Sequence, residues 1–389
     1  MSKAARKKAD PRALSKSARR KILLGLMFIP VFCTLMLGLT FGCLALAGAL
    51  GYVTARIVQQ THAFIAIGVL SVPAVAALGS AVCLLRATVL SIQKPSSFEP
   101  AVWVNTQRET DVARFLTALS TDMGVSPPGA VILHVSTSFF ATRYPLSVLN
   151  ANPRGTTLCI SLPLLSVLTV NELRAIVAHE FSHFSGGESR YHRLVRPIYC
   201  GIIETNRSLS NLDPGNRHSA FVRFFLLVPI FILRMFGTLF LRLDRSLSRE
   251  FESRADAASA AVCGWKSASS AMQKVVGYGF AFHETFKANM EEVDRSKEPD
   301  VNAYRLFRKR LKEYQPLAQK GLAMQMVDYS DAWEQHPSLI KRFEAIPRYP
   351  ERYNDHGPAL ALFKQYTGYE TMAHQFMFNE YRIHASSNR

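Results

Sequence analysis

The sequence predicts a mixed α+β fold, mainly helical, carried on two N-terminal membrane helices. Three observations predict it. Two long apolar runs lie near the N-terminus, at Ile22–Leu50 and Ala63–Leu85. Two short β-branched or apolar segments, Val131–Val135 and Thr156–Ser161, follow and are bounded by Gly or Pro. Much of the remainder repeats its apolar residues at helical spacing.

The first 21 residues carry Lys3, Arg6, Lys7, Lys8, Arg12, Lys16, Arg19, Arg20 and Lys21 against one acidic residue, Asp10. Such a tail cannot bury a core and is suited to anionic lipid head groups. Ile22–Leu50 is almost free of charge and long enough for a tilted span, since about 20 apolar residues cross the hydrocarbon layer. It exceeds the apolar stretch of a cleaved leader. The second run contains Pro73, which membrane helices tolerate. Between the runs, Gly51–His62 reads as a linker whose one basic residue is Arg56. The charge asymmetry places residue 1 in the cytoplasm, the linker outside, and everything after Leu90 in the cytoplasm again.

The globular part begins near Pro95. Asp111–Met123 has Val112, Phe115, Leu116 and Leu119 at helical spacing, and Pro127-Pro128-Gly129 makes a turn. Thr169-Val170-Asn171-Glu172 is a capping box, in which Thr169 caps the amide of Glu172 and the glutamate reaches back. Leu173, Ile176, Val177 and Phe184 continue that helix, and Gly186-Gly187 ends it. Phe221–Leu243 is a third apolar run, interrupted by Arg223, Pro229, Arg234 and Arg242. Residues 266–389 read as mostly helical, with no membrane-length apolar stretch.

The 389 residues carry 46 Lys and Arg against 29 Asp and Glu, a net charge of +17, alongside 48% hydrophobic residues. That pairing suits a chain that is partly in lipid with its basic residues on the cytoplasmic side. The basic excess forms no stripe with interleaved aromatics, which argues against a nucleic-acid surface. Cys33, Cys43, Cys83, Cys159, Cys200 and Cys263 make no C-x-x-C pair. They read as small apolar residues in a reducing compartment.

The chemistry lies on the capped helix, which reads His179-Glu180-Phe181-Ser182-His183, an H-E-x-x-H pattern. Residues four apart share a helical face, so both imidazoles reach one zinc ion. Glu180 is then placed to act as general base without being a ligand. A third ligand is needed. The extended H-E-x-x-H-x-x-G-x-x-H form fails: Gly186 is in place, but Ser189 stands where a histidine should, and His192 is one turn late. Glu252 and Asp256, also four apart, supply an alternative. Glu252 can bind the metal, and Asp256 can accept the free ring N–H of a ligand histidine.

These residues resemble the HtpX-type and CAAX-prenyl-protease-type membrane zinc metallopeptidases, which are gluzincins. The resemblance covers roughly residues 95–350 and runs from Leu164-Leu165 and Leu168-Thr169 through the H-E-x-x-H helix to the Glu252–Asp256 pair. Downstream, His336-Pro337 and Arg342 are similar to the family's His-Pro element and following Arg. The resemblance implies a gluzincin-like domain holding one Zn2+ per chain and hydrolysing polypeptides at the lipid bilayer of the cell's inner membrane, with the catalytic domain in the cytoplasm. It implies that His336 or Arg342 donates to the oxyanion, and that Thr156–Ser161 is an edge strand pairing with substrate. The implied organisation is a tail at 1–21, a two-helix hairpin at 22–92, a peptidase domain at 95–350 and an extension at 351–389. One departure matters. The family has two further spans between its metal motifs, and this chain offers one candidate, Phe221–Leu243. A single span would put Glu252 across the membrane from His179, so an interfacial helix is expected there. A catalytically silent scaffold is the rival reading; it has no need of Glu180.

Overall fold

Apolar sequence without a breaker extends a helix until something polar or strained ends it. In the computed structural model, helix α1 covers Lys16–Thr61. The structure describes residues 16–61, 97–184, 220–296, 301–326 and 338–387, with isolated helical residues between 65 and 85 and between 191 and 195. The stretch expected as a linker, from Gly51, is therefore helical to Thr61. Its Tyr, Val, Ala, Ile and Gln residues contain no Pro, and the single Gly51 does not stop the helix.

The chain forms two units. One comprises Leu14–Pro95 and Arg190–Ser248. Within it, Phe28 packs on Phe236 and Phe240 at ring separations of 5.3 and 5.8 Å, and Phe32 on Phe236 at 5.6 Å. Gly25 has no side chain because a Cβ there would lie 2.7 Å from the Tyr191 ring. Tyr191 in turn donates to Asp244. Much of α1 stays uncovered: Leu23, Met27, Val31, Phe41 and Tyr52 are all at least half exposed. Among the described residues, Ser17–Gln60 is the one helix long and apolar enough to cross a membrane.

The other unit takes Ser96–Ser189 and Arg249–Arg389. Its strands are β1 Ser97–Phe98, β2 Ala101–Val104, β3 Ala130–His134, β4 Phe140–Thr142, β5 Leu146–Ser147 and β6 Thr157–Ser161. β2, β3, β6 and β4 form one sheet in that order; β3 and β6 are parallel and the outer pairs antiparallel. β6 is thus an interior strand, which corrects the edge position expected for Thr156–Ser161. The reason lies in its side chains. All five are buried, as are those of β3, and a strand covered on both faces belongs inside a sheet. The edge falls to the half-buried β4.

Helix α2 (Thr110–Met123) buries Val112, Phe115, Leu116 and Leu119. Helix α3 (Val170–Ser182) starts at the expected capping box, with both of its reciprocal hydrogen bonds made. Helix α4 (Ala220–Cys263) runs unbroken from the third apolar run into the segment carrying Glu252 and Asp256. Gly264, at φ +107°, then turns the chain into α5 (Trp265–Ser296). A side chain at Gly264 would meet Glu351, whose carboxylate accepts the Lys266 and Ser267 amides at the start of α5. Short helices α6 (Ala303–Lys309), α7 (Gln315–Gln325) and α8 (Leu339–Ala345) and a long α9 (Tyr366–Ser387) complete the unit. One apolar core joins Leu133, Leu158 and Ile160 of the sheet to Leu173 and Val177 of α3, Ala260 of α4 and Phe282 of α5.

Candidate active site

The site is built where α3 and the C-terminal part of α4 lie side by side. Three contacts fix α3. Glu172, 6% exposed, accepts from its cap and also from Ser270 (2.6 Å) and Lys274 (2.8 Å) of α5. Burial alone would raise this carboxyl; the bonds from Lys274, Ser270 and the Thr169 amide outweigh burial and hold it below its ordinary value. From the C-terminal side, the amides of Val170 and Asn171 donate to the carbonyls of Gly357 and Asp355. Ser259 of α4 donates to the carbonyl of Ala175 at 2.7 Å, tying the two helices together one turn before His179.

With the helices locked, His179 and His183 sit one turn apart on the inner face of α3, opposite Glu252. Their Nε2 atoms are 3.3 Å apart. Glu252 Oε2 is 3.4 Å from His179 Nε2, and Oε1 is 4.0 Å from His183 Nε2. The three ligand atoms lie within 4.8 Å of one another. Bonds of about 2.0–2.1 Å to a tetrahedral ion imply ligand–ligand edges of roughly 3.3–3.4 Å. The His179–His183 and His179–Glu252 separations match that edge and the His183–Glu252 separation of 4.0 Å is longer, while the donor chemistry, two imidazoles and a carboxylate, suits a zinc-type ion.

Asp256, 4% exposed, accepts from His179 Nδ1 at 3.0 Å. The Nδ1 proton is thereby committed, which leaves the Nε2 lone pair facing His183 and Glu252. Arg342 of α8 grips the same carboxylate with Nε at 2.8 Å and Nη2 at 2.7 Å, and its Nη2 lies 3.4 Å from Glu252. Burial would lower the His179 imidazole, but the bonds from Asp256 and Glu252 and the charges of Asp256 and Glu180 push it up to about 10. A proton and a cation thus compete for this ring. Burial would raise Asp256; Arg342 and His179 overcome that and lower it.

All these groups line a cavity of about 570 Å³ that also takes in Glu180. Its remaining wall comes from Thr137, Ser138, Phe139 and Phe140, leading into β4, and from Met272, Val275 and Val276 of α5. These wall residues were not legible from sequence, because an apolar helical stripe that lines a cleft has the same spacing as one that faces a core. Six of the seven site residues named from sequence are described. His179, Glu180, His183, Glu252, Asp256 and Arg342 line this one cavity; His336 lies outside the described residues.

A profile of peptidase family M48 matches residues 107–349, which include every described member of the site. The chain is 25% identical over 233 residues to a "Protease HtpX homolog" of Thermoplasma volcanium, covering 58% of this chain and 66% of that protein. It is 28% identical over 164 residues to a "Protease HtpX" of Glaesserella parasuis serovar 5, covering 40% of this chain and 55% of that one. The matches thus span less than two thirds of either relative's length. No solved structure matches. With a family profile that covers well over half of the chain, this protein belongs to peptidase family M48.

Proposed function

We propose that this chain is a membrane-anchored, zinc-dependent endopeptidase. The observation that carries the reading is the meeting of His179, His183 and Glu252 within 4.8 Å, in the cavity that Glu180 also lines. His179, His183 and Glu252 would hold one Zn2+. The ion supplies Lewis acidity toward water and a peptide carbonyl. Glu180 takes the proton from the attacking water and delivers it to the leaving amine. Asp256 keeps His179 in the tautomer that presents Nε2. Arg342 gives Nε and Nη2 to Asp256, so it holds the carboxylate that orients His179. The substrate backbone runs along β4, whose outer edge has no neighbouring strand among the described residues.

The membrane part of the reading rests on α1. Its exposed apolar surface has no cover in the described structure and suits lipid. The basic residues ahead of it support a cytoplasmic N-terminus, and the Ala63–Leu85 run, read as a second span, returns the catalytic residues to that side of the inner membrane. Misassembled or damaged membrane proteins are the substrates proposed for a peptidase held there.

The test is cleavage of an unfolded protein by the detergent-purified full chain, beside Glu180→Gln. The reading expects cleavage that a chelator abolishes and the variant lacks. Equal cleavage by parent and variant would contradict it.

A further inference from the structure

An apolar stretch of lining, a recess, adjoins the metal-binding cluster in the cavity at His179. Its walls are Ile176 of α3, Ala271, Met272, Val275 and Val276 of α5, and Ile346 after α8. Every charged or titratable group that lines the cavity, from His179 and Glu180 to Arg342, sits at the metal end. The one hydroxyl at the α3–α4 junction, Ser259, already donates to the Ala175 carbonyl. A charged side chain entering the recess would lose its hydration with nothing to replace it, whereas an apolar one would shed water at no polar cost.

The recess is preformed because α5 is clamped on another side. A Cβ on Gly277 would fall 2.7 Å from the Ala318 carbonyl oxygen of α7, and one on Gly321 of α7 would fall 2.5 Å from Phe280. Those close approaches hold the backbone of α5 in place. Met272 and Val276, one turn apart on α5, therefore present a fixed wall. Both are half-buried, as are Ile176 and Val275, while Ala271 behind them is fully buried. Ala271 contributes only a methyl group to this lining, and the unbranched Met272 is the longest side chain on it.

We propose that this recess receives one apolar side chain, of leucine to phenylalanine size, from a residue flanking the scissile bond, and that Met272 sets its depth. The proposal rests on the peptidase reading for the identity of the ligand as a peptide. Its continuity with the metal-binding cluster, within one cavity, places the occupant beside the reacting carbonyl.

The experiment measures binding separately from chemistry. Zinc-loaded full-length Glu180→Gln in detergent is titrated into fluorescent extended peptides that differ at one position, holding Leu, Phe, Trp, Ala, Asp or Lys. Leu and Phe peptides are expected to bind about 10-fold or more tightly than Asp and Lys peptides, the scale of hydrophobic-pocket discrimination. Adding Met272→Ala is expected to move the preference toward Trp by about 10-fold, and adding Met272→Leu, which keeps the volume, to leave the order unchanged. Equal binding of all peptides, no binding of any, or an order that Met272→Ala leaves unaltered would overturn the proposal. The parent chain is then tested for hydrolysis of the same peptides. Selective binding without hydrolysis would overturn the peptidase reading and leave the recess standing.

Discussion

Replacing Asp256 by Asn probes the site at its hinge. The carboxylate uses both oxygens: Oδ1 accepts from His179 Nδ1 and Arg342 Nη2, and Oδ2 accepts from Arg342 Nε. An amide has the same shape but only one acceptor. If its oxygen stays on the His179 side, its NH2 faces the Arg342 Nε–H and that bond is lost. If it turns around, the NH2 faces His179 and drives the ring proton to Nε2, where it blocks the metal. Either arrangement weakens the ligand. Loss of such an outer partner costs 10–100-fold in metal affinity, about 1.4–2.7 kcal/mol. In the zinc-free protein the broken bond to a largely buried guanidinium costs about 1–3 kcal/mol of stability. Competition against a chromophoric chelator reads the first quantity, and denaturant unfolding of the metal-free chain the second. Asp256→Asn that keeps the parental zinc affinity would refute the claim that Asp256 orients His179.

Arg342→Ala is expected to lower zinc affinity as Asp256→Asn does, and the double variant to lose less than the sum, with a coupling of about 0.5–3 kcal/mol in a double-mutant cycle; additive losses would mean that the two do not act as a unit. Glu172→Gln removes a charge-assisted set of bonds and is expected to destabilise the fold by about 1.5–3 kcal/mol at neutral pH. Because this carboxyl is lowered in the folded chain, its contribution is full above the unfolded value of about 4.3 and is lost as pH falls through the folded one. The gap between parent and Glu172→Gln in denaturant midpoints should therefore close on acidification, and a gap constant down to pH 3 would contradict the assignment. Glu109, fully buried ahead of α2, accepts the amides of Lys364 and Gln365. Glu109→Ala leaves both unpaired at a cost of about 2–3 kcal/mol, and it should loosen the start of α9 as read by hydrogen exchange.

The residues of the candidate metal site were legible because their spacing is set by one short helix period each. Thr169 and Glu172 announce where α3 begins, His179 and His183 share its face, and Glu252 and Asp256 share a face of α4. Contact between the two helices was not legible. It depends on Ser259 reaching Ala175, 84 residues away, and on Arg342 joining from α8. Three features were misread or missed for local reasons. The three residues of β4 are too few to show alternation. The Phe221–Leu243 run and the Glu252–Asp256 segment read as separate because polarity changes at Asp244, although nothing there stops a helix. Met272, Val275 and Val276 look like core because burial against a cleft and burial against a neighbouring helix give the same pattern.

The central claim is that His179, His183 and Glu252 together hold one zinc ion. Metal analysis of the full-length chain, purified with zinc present and dialysed, tests it beside Glu180→Gln, His183→Ala and Glu252→Ala. The account predicts one zinc per chain in the parent and in Glu180→Gln, and little or none in the two ligand variants, with all four proteins equally folded by circular dichroism. Stoichiometric zinc in His183→Ala and Glu252→Ala, or a folded parent that binds none, would contradict it.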